Sequence, residues 1–183
     1  MFPTQSLFFS LQNNQAKWRS IRNATDEDRL RCLVVYGIPK SENTTAEKYI
    51  MTLGTKIGCN LVSTDIEDVL RITPTVTIVK FSDMAKRNEN YKAKGILRQK
   101  SITSETLGHY GKGKAEDIYI NEYLSQETYK LYRECRNKGK GLYTCYTKQC
   151  EIYMREKKSV SVPKKIASQE DLAALLNTNK GTA

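Results

Sequence analysis

Residues 31–124 alternate between strand-like and helix-like patterns in a fixed order, and that order limits the folds open to the chain. The order is strand–helix–strand–strand–helix–strand, with strands predicted at 32–38, 65–73, 75–81 and 118–124 and helices at about 45–57 and 83–97. This split βαβ pattern predicts a four-stranded antiparallel sheet backed by two helices. An α+β fold is therefore expected for this region.

Local signals mark where these elements begin and end. The first strand is rich in β-branched residues and stops at Gly37. Thr44 or Thr45 is expected to cap the first helix, and Ser82 or Asp83 the second, because short oxygen-bearing side chains accept from the free N–H groups there. The same kind of cap, Ser125, is expected to open a third helix beyond the last strand.

A second, smaller α+β domain is predicted after residue 124. Two alternating strands and a short helix follow the Ser125 helix, at 142–146, 150–155 and 169–176. The predicted organisation is a flexible N-terminal arm at 1–30, an RNA-recognition-motif-like (RRM-like) domain at 31–124, a small C-terminal domain at 125–176 and a tail at 177–183. Within the first domain, 99–117 is expected to be a long basic loop containing glycines.

The positive charge of the chain, +10 in total, is unevenly distributed. Residues 31–83 carry six basic and six acidic side chains, residues 84–114 carry eight basic against two acidic, and residues 118–183 carry twelve against seven. A surface that faces a polyanion would produce this gradient, and the alternative is that the charges only keep the surface solvated. The clustering of the basic residues favours the polyanion.

The residue types that catalysis and metal binding need are sparse. The single histidine, His109, has no carboxylate beside it in the sequence, and Cys145 and Cys150 lack a second Cys or His pair to complete a zinc site. Residues 111–114 lack the spacing of a phosphate-binding P-loop. We therefore expect no enzyme and no cofactor, with both cysteines serving as packing residues.

The sequence also indicates in which cellular compartment the protein is expected. No apolar stretch approaches the roughly 20 residues needed to span a bilayer, and residues 1–11 lack the basic start of a secretory signal. The five cysteines are an odd number and widely scattered. These features predict an intracellular protein, cytoplasmic or nuclear, with reduced thiols and no membrane partner.

Sequence-tolerant binding of a single nucleic-acid strand requires cations for the phosphates and flat rings for the bases. The Ser125 helix offers both on one flank, through Tyr129, Tyr132, Arg133 and Arg136. Arg155 in the hairpin is added to this set. Further phosphate contacts are expected from the basic helix and loop, through Lys86, Arg87, Lys92, Lys94, Arg98, Lys100, Lys112 and Lys114.

Tyrosines in the strands are ambiguous, because half-buried packing is their commonest role there. In the C-terminal hairpin, Tyr143, Cys145 and Tyr153 are assigned to one face, with Tyr146 and Arg155 at other positions. In the first sheet, Tyr36 and Phe81 are the aromatic candidates, and Phe81 is expected in the core. That sheet is therefore predicted to be a poor stacking platform.

With its segments in this order, the sequence resembles the baculovirus few-polyhedra (FP) protein family and, more distantly, the RNA-binding first-reading-frame proteins of LINE-type retrotransposons. The resemblance covers about residues 31–176, and its most specific part runs from the last strand of the first domain to the C-terminal helix. The matching pieces are Val35-Tyr36-Gly37-Ile38-Pro39, Asp65-Ile66-Glu67-Asp68-Val69-Leu70-Arg71-Ile72, Ile78-Val79-Lys80-Phe81-Ser82, Ile118-Tyr119-Ile120-Asn121-Glu122-Tyr123-Leu124-Ser125, Ile152-Tyr153-Met154-Arg155 and Ser168-Gln169-Glu170-Asp171-Leu172.

The resemblance implies an RRM-like domain and a compact C-terminal domain that together bind single-stranded RNA or DNA with little sequence preference, as a coat or chaperone. It also implies an Arg-Arg pair, important for RNA binding, in the helix that follows Ser125; Arg133 matches the second member, and Tyr132 stands in place of the first. Relatives carry an N-terminal coiled coil, whereas residues 1–30 hold no run of three heptads. Self-association is therefore not carried over.

Three functions remain open from the sequence, one of them that of a nuclease accessory. The first is non-enzymatic binding of single-stranded nucleic acid by a protein of viral or retroelement type. The alternative is a viral structural or morphogenesis protein that acts in virion or occlusion-body production through contacts with itself or with viral or retroelement proteins. In the alternative, the basic charge serves only solvation.

Overall fold

The computed structural model describes residues 24–38, 40–41, 44–108, 115–157 and 160–178. The chain divides into two compact units, residues 1–123 and residues 124–183. The sequence places the same boundary one residue later, after Leu124. Each unit has its own sheet and its own buried cluster.

The N-terminal unit is an α+β unit around one four-stranded sheet. Its elements are α1 (Asp26–Leu30), β1 (Cys32–Tyr36), α2 (Ala46–Lys56), β2 (Ile66–Thr73), β3 (Val76–Phe81), α3 (Met84–Ala93), α4 (Gly95–Gln99) and β4 (Tyr119–Glu122). All neighbouring strands pair antiparallel, in the order β2-β3-β1-β4. The prediction of a four-stranded antiparallel sheet with helices is thereby confirmed.

Helices α2, α3 and α4 pack on one face of this sheet. Leu33, Val35, Val79 and Phe81 point to that face and pack with the apolar side of α2 and with Leu97 of α4. The strand alternation sends a second apolar set to the opposite face, where Cys32, Val34, Leu70 and Ile78 are also buried.

Caps set the helix starts where short polar side chains precede them. Of the alternatives in the sequence, Thr45 accepts from the N–H of Lys48 at 3.2 Å and Asp83 accepts from that of Lys86 at 2.8 Å. The second predicted helix is broken at Lys94 into α3 and α4. Gly95 follows the break, and glycine is a poor helix former because it loses the most backbone entropy.

The described part of segment 99–117 is more ordered than the predicted long basic loop, because some of its residues pack in the core. Ile102 and Leu107 are buried in the core, and Thr103 pairs with Asp117 as an isolated antiparallel bridge. A short 3₁₀ helix, Glu105–Leu107, lies between them. Residues 109–114, which include His109, Lys112 and Lys114, lie outside the described residues.

The predicted flexible arm at 1–30 needs a correction at its C-terminal end. Residues 26–30 form α1, where Thr25 accepts from the N–H of Asp28 at 3.1 Å and three acidic residues occupy the first turn. Asp28 also pairs with Lys80 of β3 at 3.0 Å. A helix cap and an ion pair with a residue distant in the sequence thus hold α1 in place. The sequence of this segment is too polar to predict that it packs against the rest of the unit.

Acid is expected to weaken this attachment of α1. The hydrogen bond from Lys80 lowers the pKa of Asp28 to about 2 and also lowers the pKa of Glu67. A carboxyl with a depressed folded pKa stabilises the fold above its unfolded pKa of about 4, and the contribution disappears as the pH falls through the folded value. The free energy of unfolding, measured by urea titration, should therefore fall between about pH 4 and pH 2. Lys80→Met should make that fall smaller, and an identical fall in both proteins would contradict the assignment.

The C-terminal unit is a three-stranded sheet with two helices. Its elements are α5 (Gln126–Lys138), β5 (Tyr143–Lys148), β6 (Glu151–Glu156), β7 (Lys164–Ile166) and α6 (Gln169–Thr178). The strands are antiparallel in the order β5-β6-β7. The sequence predicts four of these elements and misses β7.

Both helices of this unit pack on the same face of its sheet. Cys135 of α5 and Leu172 of α6 share one buried cluster with Tyr143, Ile152 and Met154 of the strands. At Gly139, just after α5, a Cβ would come within 2.8 Å of the backbone oxygen of Cys135, which cannot move aside, so a side chain there would force the backbone to shift. The unit is thus a two-layer structure, and its described residues show helices on one face of the sheet alone.

Candidate nucleic-acid interface

Helix α5 begins and ends where the sequence indicates. Ser125 accepts from the N–H of Thr128 at 3.1 Å, as a cap should, and Gly139 ends the helix. Leu131, Tyr132 and Cys135 face the sheet and fix the helix against it. This packing decides which side of α5 remains in solvent.

The predicted aromatic and basic residues of α5 lie beside its packed side, with Tyr132 at the boundary between the core and solvent. Tyr129, Tyr132, Arg133 and Arg136 are spaced three and four apart, so they lie along one flank, named here the α5 strip. Tyr129 is 48% exposed, and both arginines are exposed. The Arg136 guanidinium lies 5.8 Å from the centre of the half-buried Tyr132 ring. The structure therefore brings these four predicted residues together.

Arg155 lies elsewhere in the unit. The register pairs Thr144 with Arg155 and Tyr146 with Tyr153, so these four side chains point away from the helices. Lys148, Glu151 and Lys165 point the same way. We call this side, with Thr144, Tyr146, Lys148, Glu151, Tyr153, Arg155 and Lys165, the open face.

Tyr146 and Tyr153 form a stacked pair on the open face. Their ring centres are 5.9 Å apart and their planes differ by 18°. The assignment of Tyr153 to the face of Tyr143 and Cys145 is wrong, because Tyr143 and Cys145 belong to the helix-covered face. The correct face could be found from the sequence, since Tyr153 and Arg155 are two residues apart in one strand and must share a face.

Glu151 fixes the ring of Tyr153, the member of the pair on the central strand β6. The Tyr153 hydroxyl donates to Glu151 Oε2 at 2.7 Å, and Lys165 of β7 donates to Glu151 Oε1. The hydrogen bond from Lys165 lowers the pKa of Glu151, and the hydrogen bond to Glu151 raises the pKa of Tyr153. Lys165, Glu151 and Tyr153 therefore form a chain of polar contacts that fixes one ring of the pair.

The other cations of this unit are not engaged in the same way. Among ion pairs between described residues of the C-terminal unit, the one present joins Lys165 to Glu151. Arg133, Arg136, Lys148 and Arg155 pair with no described carboxylate and are all exposed. Their charges are thus available to an anionic partner.

Helix α5 lies against β5, an edge strand of the sheet. A hydrogen bond with the Cys135 thiol and burial raise the pKa of Cys145, while the positive charge of Arg136 acts in the opposite direction. Arg136 is therefore close to Cys145, and the next residue, Tyr146, projects onto the open face. The α5 strip and the open face therefore lie on opposite sides of β5.

In the N-terminal unit, the prediction for Arg87 is wrong. Its side chain is 1% exposed, and its Nη2 donates to Glu122 Oε1 at 2.8 Å. The guanidinium also lies 5.1 Å from the centre of the Tyr91 ring. A group buried and paired in this way holds α3 to β4 and cannot reach a phosphate.

Two more predicted cations are already engaged. Lys86 Nζ lies 3.4 Å from a Glu89 oxygen and 4.0 Å from an Asp65 oxygen. Lys94 Nζ lies 3.6 Å from the centre of the Tyr91 ring, and burial lowers its pKa. Lys86 therefore already interacts with carboxylates and Lys94 with an aromatic ring, so both are less available for contact with a phosphate.

Lys92, Arg98 and Lys100 remain exposed on α3, on α4 and just beyond it. None of them pairs with a described carboxylate; Lys100 Nζ lies 3.5 Å from the backbone oxygen of Lys56, at the end of α2. Lys112 and Lys114 lie outside the described residues. Of the predicted phosphate contacts in this unit, three therefore keep that assignment as accessible candidates.

In the first sheet, the exposed Tyr119, which the sequence does not single out, lies beside the candidate Tyr36. The register places Tyr119 opposite Tyr36, on the face away from the helices, and Tyr119 is 47% exposed. Phe81 is buried in the core, as expected. The centre of that face is filled by the buried apolar residues Cys32, Val34 and Ile78, so the pair lies at one end of it.

The described residues contain no cluster of three or more His, Cys, Asp or Glu side chains able to hold a metal ion. The thiols of Cys135 and Cys145 hydrogen-bond to each other inside the C-terminal core. Cys150 occupies the turn between β5 and β6, next to Gln149, and both have positive φ. Such a turn joins the strands through two residues and so sets the register of the open face.

In the part of the chain that the structure describes, the helices are all too short or too polar to traverse a lipid bilayer. Neither a scan against protein-family models nor a search of curated proteins finds a match for this chain.

Proposed function

We propose that this protein binds single-stranded RNA or DNA without strong sequence preference and without catalysing a reaction. The observation that carries the proposal is a set of exposed cations near tyrosines in the C-terminal unit, none paired with a described carboxylate: Arg133 and Arg136 on the α5 strip, Lys148 and Arg155 on the open face. Cations and rings on one small unit supply the two contacts that a flexible strand requires.

The distribution of paired charge supports this choice of unit. In the N-terminal unit, Arg31, Lys80 and Lys86 pair with carboxylates and Arg87 is buried. In the C-terminal unit, the arginines remain in solvent. Charges that serve only solvation have no reason to cluster beside partly exposed tyrosines, whereas charges that bind phosphate do.

The fold of the N-terminal unit agrees with the proposal. Its strand order, β2-β3-β1-β4, and the helices packed on one face of its sheet are those expected of an RRM-like domain. RRM domains bind unpaired bases on rings of the sheet. We propose this finer fold assignment, and with it a supporting role for Lys92, Arg98 and Lys100, in a protein of FP or retroelement type that acts as a coat or chaperone.

Salt dependence tests the proposal. With four phosphates neutralised by the four cations, the logarithm of the binding constant should fall with the logarithm of salt at a slope of about −3. Affinity for a fluorescent single-stranded oligonucleotide should then drop about 50-fold between 50 and 200 mM salt. Fluorescence anisotropy measures both values. Absence of binding at low salt would favour the alternative, a viral structural protein that acts through protein contacts.

A further inference from the structure

The pairing of the strands makes the two ends of the tyrosine stack on the open face different. Across the sheet, Tyr153 lies between Tyr146 of β5 and Lys165 of β7. Tyr146 has Tyr153 on one side and, because β5 is an edge strand, no neighbouring strand on the other. The stack of two rings is therefore closed at its inner end and open at its outer end.

We infer that Tyr146 is a platform on which an unpaired nucleobase stacks, and that Tyr153, Glu151 and Lys165 are the residues that position it. This deepens the proposed function, on which it rests, by assigning the reading of bases to the open face. The α5 strip is left with the phosphates. The ligand class is an unpaired base, because a paired base within a duplex has both of its faces covered by neighbours.

The polar contacts of Glu151 make the platform preformed. Tyr153 is fixed at its hydroxyl by Glu151, which is itself held by Lys165, so the ring against which Tyr146 stacks is already ordered. A ring ordered before binding loses less entropy when a base arrives.

The flanking charges complement a strand crossing the face. Lys148 is two residues beyond Tyr146 and Arg155 two residues beyond Tyr153, so they stand at opposite ends of the pair. Two residues of a strand span about 6.8 Å, which places the cations about 13 Å apart along the strands, on either side of the rings. Both are exposed and neither pairs with a described carboxylate.

The test compares two oligonucleotides of equal length, oligo-dT and an abasic strand with the same number of phosphates, on the full-length protein. The ratio of the two affinities reports base stacking, since phosphate contacts cancel. Tyr146→Ala should lower affinity for oligo-dT about tenfold, equivalent to about 1.4 kcal/mol, and leave the abasic affinity unchanged. Tyr146→Phe, which keeps the ring, should keep the ratio.

The positioning residues have a separate readout. Glu151→Ala and Tyr153→Phe should each reduce the ratio, because they release the inner ring, whereas Glu151→Gln keeps an acceptor for the Tyr153 hydroxyl and should reduce it less. Unchanged abasic binding shows that each variant is folded. Equal reduction by Glu151→Gln and Glu151→Ala would overturn the positioning role.

The outcomes separate this inference from the proposed function. If neither oligonucleotide binds at low salt, the proposed function is wrong and the platform with it. If both bind with equal affinity to the unmodified protein, or if Tyr146→Ala leaves the ratio unchanged, nucleic-acid binding stands and the platform is overturned. The platform is supported if the ratio of oligo-dT affinity to abasic affinity falls in Tyr146→Ala and is kept in Tyr146→Phe.

Discussion

Replacing Arg87 with alanine is expected to destabilise the N-terminal unit by about 3–5 kcal/mol, the largest effect of any single change considered for this protein. The arginine is 1% exposed, and its Nη2 lies 2.8 Å from Glu122 Oε1. Without Arg87, the Glu122 carboxylate would remain buried without its cation. Because a domain is stable by only about 5–15 kcal/mol, this loss is a large share of the total. Urea unfolding followed by circular dichroism measures it.

Two comparisons make the Arg87 result interpretable. Arg98→Ala removes an exposed arginine in the neighbouring helix α4 and should change the free energy of unfolding by less than about 0.5 kcal/mol. Replacing both partners by apolar residues, Arg87→Met with Glu122→Leu, should be far milder than Arg87→Ala, because no buried charge is then left alone. An Arg87→Ala protein as stable as Arg98→Ala would show that the pair is not buried.

The framework of the N-terminal unit follows from the sequence because its strands are long enough to show a period. In β3, Val79 and Phe81 enter the helix-covered core while Ile78 turns to the other face, as strict alternation requires. Thr45, Asp83 and Ser125 act as caps at three predicted helix starts. Period and capping are local properties, so a single sequence contains them.

The elements that the sequence does not indicate are those too short for a pattern. Strand β7 has three residues, Lys164–Ile166, and only Ile166 is buried. Helix α1 has five residues and no buried side chain. Each is held by contacts from residues distant in the chain, such as the pairing of Ile166 with Ile152 and of Asp28 with Lys80. Pattern analysis of a few residues cannot contain such contacts.

The candidate site likewise has a part that local sequence patterns predict and a part that depends on contacts between residues distant in the chain. The α5 strip is predictable because helical spacing alone places Tyr129, Tyr132, Arg133 and Arg136 on one flank. Arg87 is not, because its inward orientation depends on Glu122, 35 residues later in the chain. The same holds for the open face, since the stacking of Tyr146 on Tyr153 depends on the hairpin register. Separating free charges from paired ones therefore requires the tertiary structure.

Replacing Arg133 and Arg136 together with alanine is expected to weaken binding of single-stranded oligonucleotides at least tenfold. Both arginines are exposed on the α5 strip and pair with no described carboxylate, so each can neutralise one phosphate. Losing two such contacts should reduce the steepness of the salt dependence by about 1.4, since each phosphate on a single strand contributes about 0.7. Anisotropy titrations at several salt concentrations give the affinity and the slope together.

A matched control separates a site from bulk charge. Lys48→Ala with Lys56→Ala removes the same two charges from exposed positions of helix α2, in the other unit. If only the net charge of the chain matters, both double variants should lose affinity equally and their slopes should agree. If the α5 strip contacts phosphate, the arginine variant alone should lose the slope, because counterions are released only where a cation touches the strand. Equal behaviour of the two variants would remove the α5 strip from the interface and leave the open face as the remaining cationic surface with aromatic rings in this unit.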